Sequence, residues 1–556
     1  MSIEELLAAR LRPAFDQVAG GTADPAVRRS QHADYQADGA LALARGLGRA
    51  PREVAAEVVA RADLAGLADL EVVGPGFINI TVHTSAVHSL LLKLYADSRH
   101  GVPTVAAPQT VLVDYSGPNV AKEMHVGHLR STVIGDAIVR LLEFQGHHVT
   151  RANHLGDWGT PFGMLIEHLV DVGEQEAAHE LSVGDLTGFY QAARRKFDGD
   201  PDFKRRAQLR VVALQSGDET TRRLWRLLVD ESEKYFLSVY STLDVTLSAA
   251  DFQGESTYND ELADVVDELS ALGLLRESDG ALCAFPDGFT GRDGAPMPVI
   301  VRKEDGGYNY SATDLAALRR RCRAYERAVY VVGTPQKQHF AMVFAVGVAA
   351  GWVQPGQVEH IAFGSILGPD GKMLKTRAGD SVKLSALLDE AVSRAAALAP
   401  TPDVAHSVGI GAVKYADLSS DRVKDYVFAW DRALSLTGDS GAYLQYAYAR
   451  IQSLLAKGGA VEPAFSLDVP SERALALQLL GFPSAVTAAA TALQPHRLAG
   501  YLHGLATAYS AFYEECPVLR APTAEIRAGR LGLADLTGRV LTLGLSLLGI
   551  RTPTPL

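Results

Sequence analysis

Apolar residues near the start of the chain recur at helical spacing over residues 37–47 and 51–64. Pro51 sits where a helix tolerates proline best, and Gly48 and Gly66 lie just beyond the two stretches, where helices stop. Residues 70–82 switch to strand-like patterning around Gly74-Pro75-Gly76 and predict a hairpin. A compact α/β unit over 1–105 is expected, closed by a Pro-containing linker. Thr110–Tyr115 then reads as a buried strand, 127–145 as a helix stopped by Gly146, and 148–153 as a second strand. Strand–loop–helix–strand in this order predicts a parallel sheet with a right-handed crossover. Apolar strands at 328–332 and 358–363 continue the alternation. A charged helical stretch over 167–247 reads as part of an insertion spanning about 165–290. From 400 onward only helical spacing remains, over 407–418, 440–455, 470–480, 485–492, 496–516 and 532–548, which predicts a bundle.

Composition narrows this little. With 47% hydrophobic and 21% charged residues in 556, the chain is globular and long enough for several cores. Cys283, Cys322 and Cys516 are far apart, so neither a disulfide framework nor a cysteine zinc site is expected. The acidic first residues lack the apolar run of a secretory signal. The apolar runs around 340–353 and 540–550 are too short to span a membrane. A cytoplasmic protein without membrane contact is expected. The net charge of −12 taken alone argues against a polyanionic partner.

The chemistry concentrates in two loops. Asn119-Val120-Ala121-Lys122-Glu123-Met124-His125-Val126-Gly127-His128 joins the first strand to the following helix. That edge of an open α/β sheet is where ligands bind, and a helix N-terminus favours phosphate. The histidines add donors, and Gly127 lets a ligand approach the backbone. Neither G-x-G-x-x-G nor a Walker loop is present here. Far downstream, Gly371-Lys372-Met373-Leu374-Lys375-Thr376-Arg377-Ala378-Gly379 sets three cations between glycines. By itself it is either a polyphosphate loop or an exposed basic turn.

Together the two loops resemble the HIGH and KMSKS elements of class I aminoacyl-tRNA synthetases. Asp114–Lys122, Leu155–Gly163, Asp417-Leu418-Ser419 through Lys424-Asp425-Tyr426, and Gly441–Arg450 are similar to arginyl-tRNA synthetases, as are Asp34–Gly39 and Gly74–Ile80. The resemblance implies a multidomain α/β fold. It has a small N-terminal α/β domain (1–105), a Rossmann-like nucleotide-binding catalytic domain with a helical insertion (106–399), and a C-terminal helical anticodon-binding bundle (400–556). It implies arginine activation by ATP with Mg²⁺ and no zinc, followed by transfer to tRNA; a monomer is expected. It also implies that activation requires bound tRNA.

Site roles follow from the same resemblance. His125, His128, Lys372 and Lys375 are the catalytic set, and Lys122, Gly127 and Met373 join them around ATP. Leu374 and Thr376 depart from the serines usual in that loop. Arginine is expected among Asp114, Ser116, Asn119, His154, Tyr310, Asp314 and Gln336, with His339 nearby. A planar guanidinium calls for carboxylates in bidentate geometry, and Tyr310 and Asp314 share a helix face at spacing four. Asp314 as a plain helix cap or ion-pair partner is the alternative. Tyr443, Tyr446, Tyr448 and Arg450 either stack on tRNA bases or form core. The Arg194–Lys196 and Lys204–Arg206 cluster either meets the acceptor stem or is a solvated face, and the Asp34–Asp38 turn is suspected of touching the tRNA elbow. Rival functions are a class I synthetase for lysine and a tRNA-binding paralogue without catalysis. The charge objection weakens locally: from Thr401 to Leu556 there are 13 Lys+Arg and 13 Asp+Glu.

Overall fold

The structure is a computed structural model that describes residues 2–177, 186–304, 306–375 and 381–553. Its chain divides into two compact units, Met1–Val105 with Ser435–Leu547 and Arg551–Leu556, and Ala106–Leu434 with Leu548–Ile550. The second unit thus runs past the boundary expected at residue 400.

In the second unit, strands β1 (Thr110–Asp114), β2 (His148–Leu155), β3 (Phe252–Gly254), β4 (Arg327–Gly333) and β5 (Val358–Phe363) form one sheet in the order β5-β4-β1-β2-β3. Every pair in it is parallel. Strand order reverses between β1 and β4, so a crevice opens at their carboxyl ends. Helix α1 (Val126–Phe144) is buried along most of its length against the sheet, with Val133, Ile134, Ala137 and Ile138 in the core. Gly135 permits that approach, because a Cβ there would lie 2.3 Å from Cγ of Tyr115. Helices α2 (Tyr310–Ala324) and α3 (Lys337–Ala349) flank β4. A short strand β6 (Ile366–Leu367) follows β5. Helices α4 (Leu384–Ala395) and α5 (Pro402–Leu418) then pack together, and strand β7 (Tyr426–Val427) pairs with β6 in parallel.

Several expectations need correction. The Asp34–Asp38 turn is a strand, Tyr35–Ala37, buried throughout and paired on both sides in a four-stranded antiparallel sheet. Three residues are too few for alternation to register in sequence. A helix over Ile3–Ala19 and a three-stranded sheet over 275–302 were also not anticipated. The region beyond 400 is not wholly helical, since it contributes β7. In the first unit, the helices Gly441–Gly458, Pro470–Leu480, Phe482–Thr491, Pro495–Glu515 and Ala524–Leu547 form the expected bundle. Pro470–Thr491 is long and apolar enough by composition to cross a membrane, contrary to expectation. It breaks into two helices at Gly481 and sends Leu475, Leu479, Phe482 and Val486 into the core. Asp34 is spent within this unit, on Arg473 at 2.6 Å and the amide of Val82 at 2.8 Å.

Candidate active site

The loop between β1 and α1 carries two non-glycine residues with left-handed backbone, Ser116 (φ 76°) and Ala121 (φ 59°). Such strain persists only where surroundings enforce it. Here Ser131 Oγ accepts from the Ser116 amide (2.8 Å), Asn153 Oδ1 from Gly117 (2.9 Å), and Ser232 Oγ from Ala121 (2.9 Å). The loop delivers His125 to the N-cap of α1.

Both histidines use their Nδ1 atoms locally. His125 Nδ1 accepts from the Gly127 amide (3.0 Å), and His128 Nδ1 accepts from the His125 amide (3.1 Å). Each neutral ring therefore carries its hydrogen on Nε2, free to donate. Burial lowers the His125 pKa, with Lys122 adding to it; burial pushes His128 down to about 3. These rings act as neutral donors, not cations. A Cβ at position 127 would lie 2.7 Å from Cε1 of His125, so any other residue there would push the His125 ring out of this position.

A cleft of about 860 Å³ opens beside them. It brings together Asp114, Ser116, Asn119, His125, Gly127, His128, His154, Tyr310, Asp314, Gln336 and Met373 from the expected set, with His339. Asn309 caps α2, so the capping alternative for Asp314 falls. Its carboxylate instead meets His339 Nε2 at 2.6 Å and faces His154 Nε2 at 4.0 Å. Asp114 is less free than expected. Its Oδ2 accepts from Arg321 Nη1 at 2.7 Å, and both groups are buried. The Ser116 hydroxyl is engaged with Tyr240 (2.8 Å) and Thr132 (2.9 Å).

Lys122, Lys372 and Lys375 do not line the cleft. Lys122 Nζ lies 4.4 Å from the centre of the Tyr190 ring, and Lys372 and Lys375 are exposed. Thr376, Arg377, Ala378 and Gly379 lie outside the described residues. Sequence reasoning missed Glu255 and Arg321, both in the cleft wall. Burial, Asp314 and Asp157 raise Glu255 to about 8. An arginine eleven positions after Tyr310 on one helix was the available signal for Arg321; none pointed to Glu255.

The basic insertion cluster is largely neutralised. Arg194 pairs with Asp198, Lys196 with Asp171, Arg205 with Asp202, and Arg206 with Glu167 and Asp171. In the bundle, Tyr443 bonds Ser510 at 3.0 Å and is half-buried, as is Tyr448. Tyr446 is exposed, and the Arg450 guanidinium lies 5.7 Å from its ring and 4.4 Å from that of Tyr513.

Comparison with known proteins decides the family. Residues 90–430 match the catalytic-domain model of class I tRNA synthetases (R). The chain belongs to the arginyl-tRNA synthetase family. Residues 1–82 match the arginyl-tRNA synthetase N-terminal domain, and 444–556 match the DALR anticodon-binding domain. The chain is 52% identical to an arginine–tRNA ligase of Thermobifida fusca over 95% of each sequence. Among solved structures it resembles arginyl-tRNA synthetases of Plasmodium falciparum (TM-score 0.84, 28% identity, 100% of this chain and 99% of the other) and Thermus thermophilus (0.82, 26%, 100% of both). This membership makes it an aminoacyl-tRNA synthetase that uses ATP.

Proposed function

We propose that the cleft binds arginine and ATP side by side and joins them. The arginine carboxylate attacks the α-phosphorus, the bond to the β-phosphate oxygen breaks, and pyrophosphate leaves with its electron pair. A hydroxyl of the terminal tRNA ribose then attacks the carbonyl carbon and releases AMP. Such displacements need positioning and charge stabilisation more than proton transfer. The observation carrying the reading is one cleft that joins the two Nε2–H donors of His125 and His128 to the acid-bearing face of α2. The histidines would hold ATP phosphates, with Lys122, Lys372, Met373 and Lys375 closing on them and Mg²⁺ arriving as part of the ATP substrate. Asp314 with Tyr310 and Gln336 would take the guanidinium, and Asn119 the α-amino end. His154 lies within reach as a neutral ring, its pKa lowered chiefly by burial. The Arg321–Asp114 pair supports an indirect part for Asp114. Tyr446 and Arg450 would meet tRNA, while Tyr443 and Tyr448 are mostly scaffold. The enzyme would act as a cytoplasmic monomer whose catalytic domain runs from 106 to about 434, between an N-terminal domain (1–105) and a C-terminal anticodon-binding bundle.

Aminoacylation of bulk tRNA with each amino acid in turn tests this reading. Charging with arginine is expected; charging with lysine alone, or none, would overturn it. ATP–pyrophosphate exchange with and without tRNA tests tRNA-dependent activation, and equal rates would remove that part.

A further inference from the structure

Two residues beyond His128, helix α1 carries an arginine that the chemistry above leaves unused. Arg130 is 1% exposed, and its Nε lies 3.1 Å from Asp417 Oδ2 on α5, which is buried as well. Nη1 donates to the Lys424 carbonyl at 2.9 Å, and the guanidinium lies over the rings of Phe363 (5.8 Å) and Tyr426 (5.1 Å).

The segment so gripped is the one that holds β6. The Gly364 amide donates to the Arg422 carbonyl (2.9 Å), Ser365 to Asp425 Oδ1 (2.6 Å), Tyr426 to the Ser365 carbonyl (3.1 Å), and Phe428 to that of Leu367 (2.8 Å). From β6 the chain enters the lysine loop. There Leu374 donates back to Ile366 (3.1 Å), and Gly368 to Lys372 (2.7 Å). One buried side chain thus links the helix of the histidines to the base of the lysine loop.

We propose that Arg130 is a positioning residue for the ligation reaction. Through Asp417 and residues 422–428 it sets where the base of the lysine loop stands relative to His125 and His128. The proposal rests on the functional reading above. Strands of two residues hold register poorly by themselves, so β6 and β7 need an external reference. A guanidinium supplies one, because its planar fork fixes direction as well as charge. Burying the pair is costly, so stability alone is a weak reason for it. Misplacement of donors by about 1 Å costs on the order of 10²-fold in rate.

The test is a double-mutant cycle in arginine-dependent ATP–pyrophosphate exchange with tRNA present. Arg130→Lys is expected to lower kcat by about 10²-fold while the KM for arginine stays within about twofold. In a background that carries both Lys372→Ala and Lys375→Ala the same change should cost under about threefold, since the loop lysines it places are gone. Equal losses in both backgrounds would overturn the proposal. Hydrogen exchange supplies an arm independent of catalysis: backbone amides of 364–375 should exchange faster in Arg130→Lys than in wild type. Unchanged exchange there in a folded variant would also overturn it. If Arg130→Lys does not fold, Asp417→Asn, which keeps the shape and an acceptor, carries both comparisons. Wild-type arginine dependence and the loss in Lys375→Ala report on the functional reading separately.

Discussion

His125 and His128 each commit one ring nitrogen to the turn that presents them, which leaves the other nitrogen aimed by backbone geometry rather than by rotamer choice. His128→Ala and Lys375→Ala are each expected to lower exchange kcat by about 10²–10³-fold. Steady-state exchange with KM for arginine followed in parallel would check it. Glu255 gives a pH-dependent prediction. Its carboxyl titrates near 8 in the fold against an ordinary 4.5. Between those values the folded state keeps a proton that the unfolded chain releases, so the stability contribution is full below 4.5 and lost as pH rises toward 8. Glu255→Gln should flatten that part of the stability profile, measured by denaturant unfolding at several pH values. A cationic substrate favours the ionised carboxylate, so arginine binding near pH 7 should release protons. Calorimetry in buffers of different ionisation enthalpy would detect this.

At the scale of elements, α1 works because its middle presses against β1 without a side chain in the way. Gly135→Ala would drive a methyl into the Tyr115 ring, for which overpacking costs about 1–3 kcal/mol. The expected result is a Tm lower by several degrees, with the KM for arginine little changed in whatever folds. β1, α1, β2, β4, β5 and the bundle helices were legible from their period, although the last bundle helix begins at Ala524 rather than at the expected 532, and the helix Ile3–Ala19 was missed despite its length. Tyr35–Ala37, β3, β6 and β7 were not legible. Two or three residues carry no alternation, and their strand state comes from partners distant in sequence.

For the whole molecule, a net −12 coexists with a family whose substrate is a tRNA. Most cations of the insertion cluster (Arg194, Lys196, Arg205 and Arg206) are tied to neighbouring carboxylates, whereas Arg450 sits between two exposed tyrosine rings. Tyr446→Ala and Arg450→Ala should each raise the KM for tRNA, with the KM for arginine unchanged. Arg450→Ala should also reduce the slope of log KM for tRNA against log salt by about 1. Aminoacylation at several salt concentrations would check both. Substitutions in the Arg194–Lys196 cluster should have less effect.

By itself the sequence determined the strand–loop–helix order and the two loops, which are local properties of the chain, and through its resemblance to a known family it also pointed to twelve of the residues that line the cleft. It also told that a sheet with a helical insertion would present those loops at one edge. Tertiary structure decided what each side chain is free to do. Asp114 looked like a substrate ligand until Arg321 was found on it. Asp34 was expected in a turn touching the tRNA elbow but is taken by Arg473, and Arg130 and Asp417, 287 positions apart, were unrelated motif letters until the fold buried them together. Charge, availability and aim depend on which distant group lies within a few ångströms, and periodicity along a chain does not encode that distance.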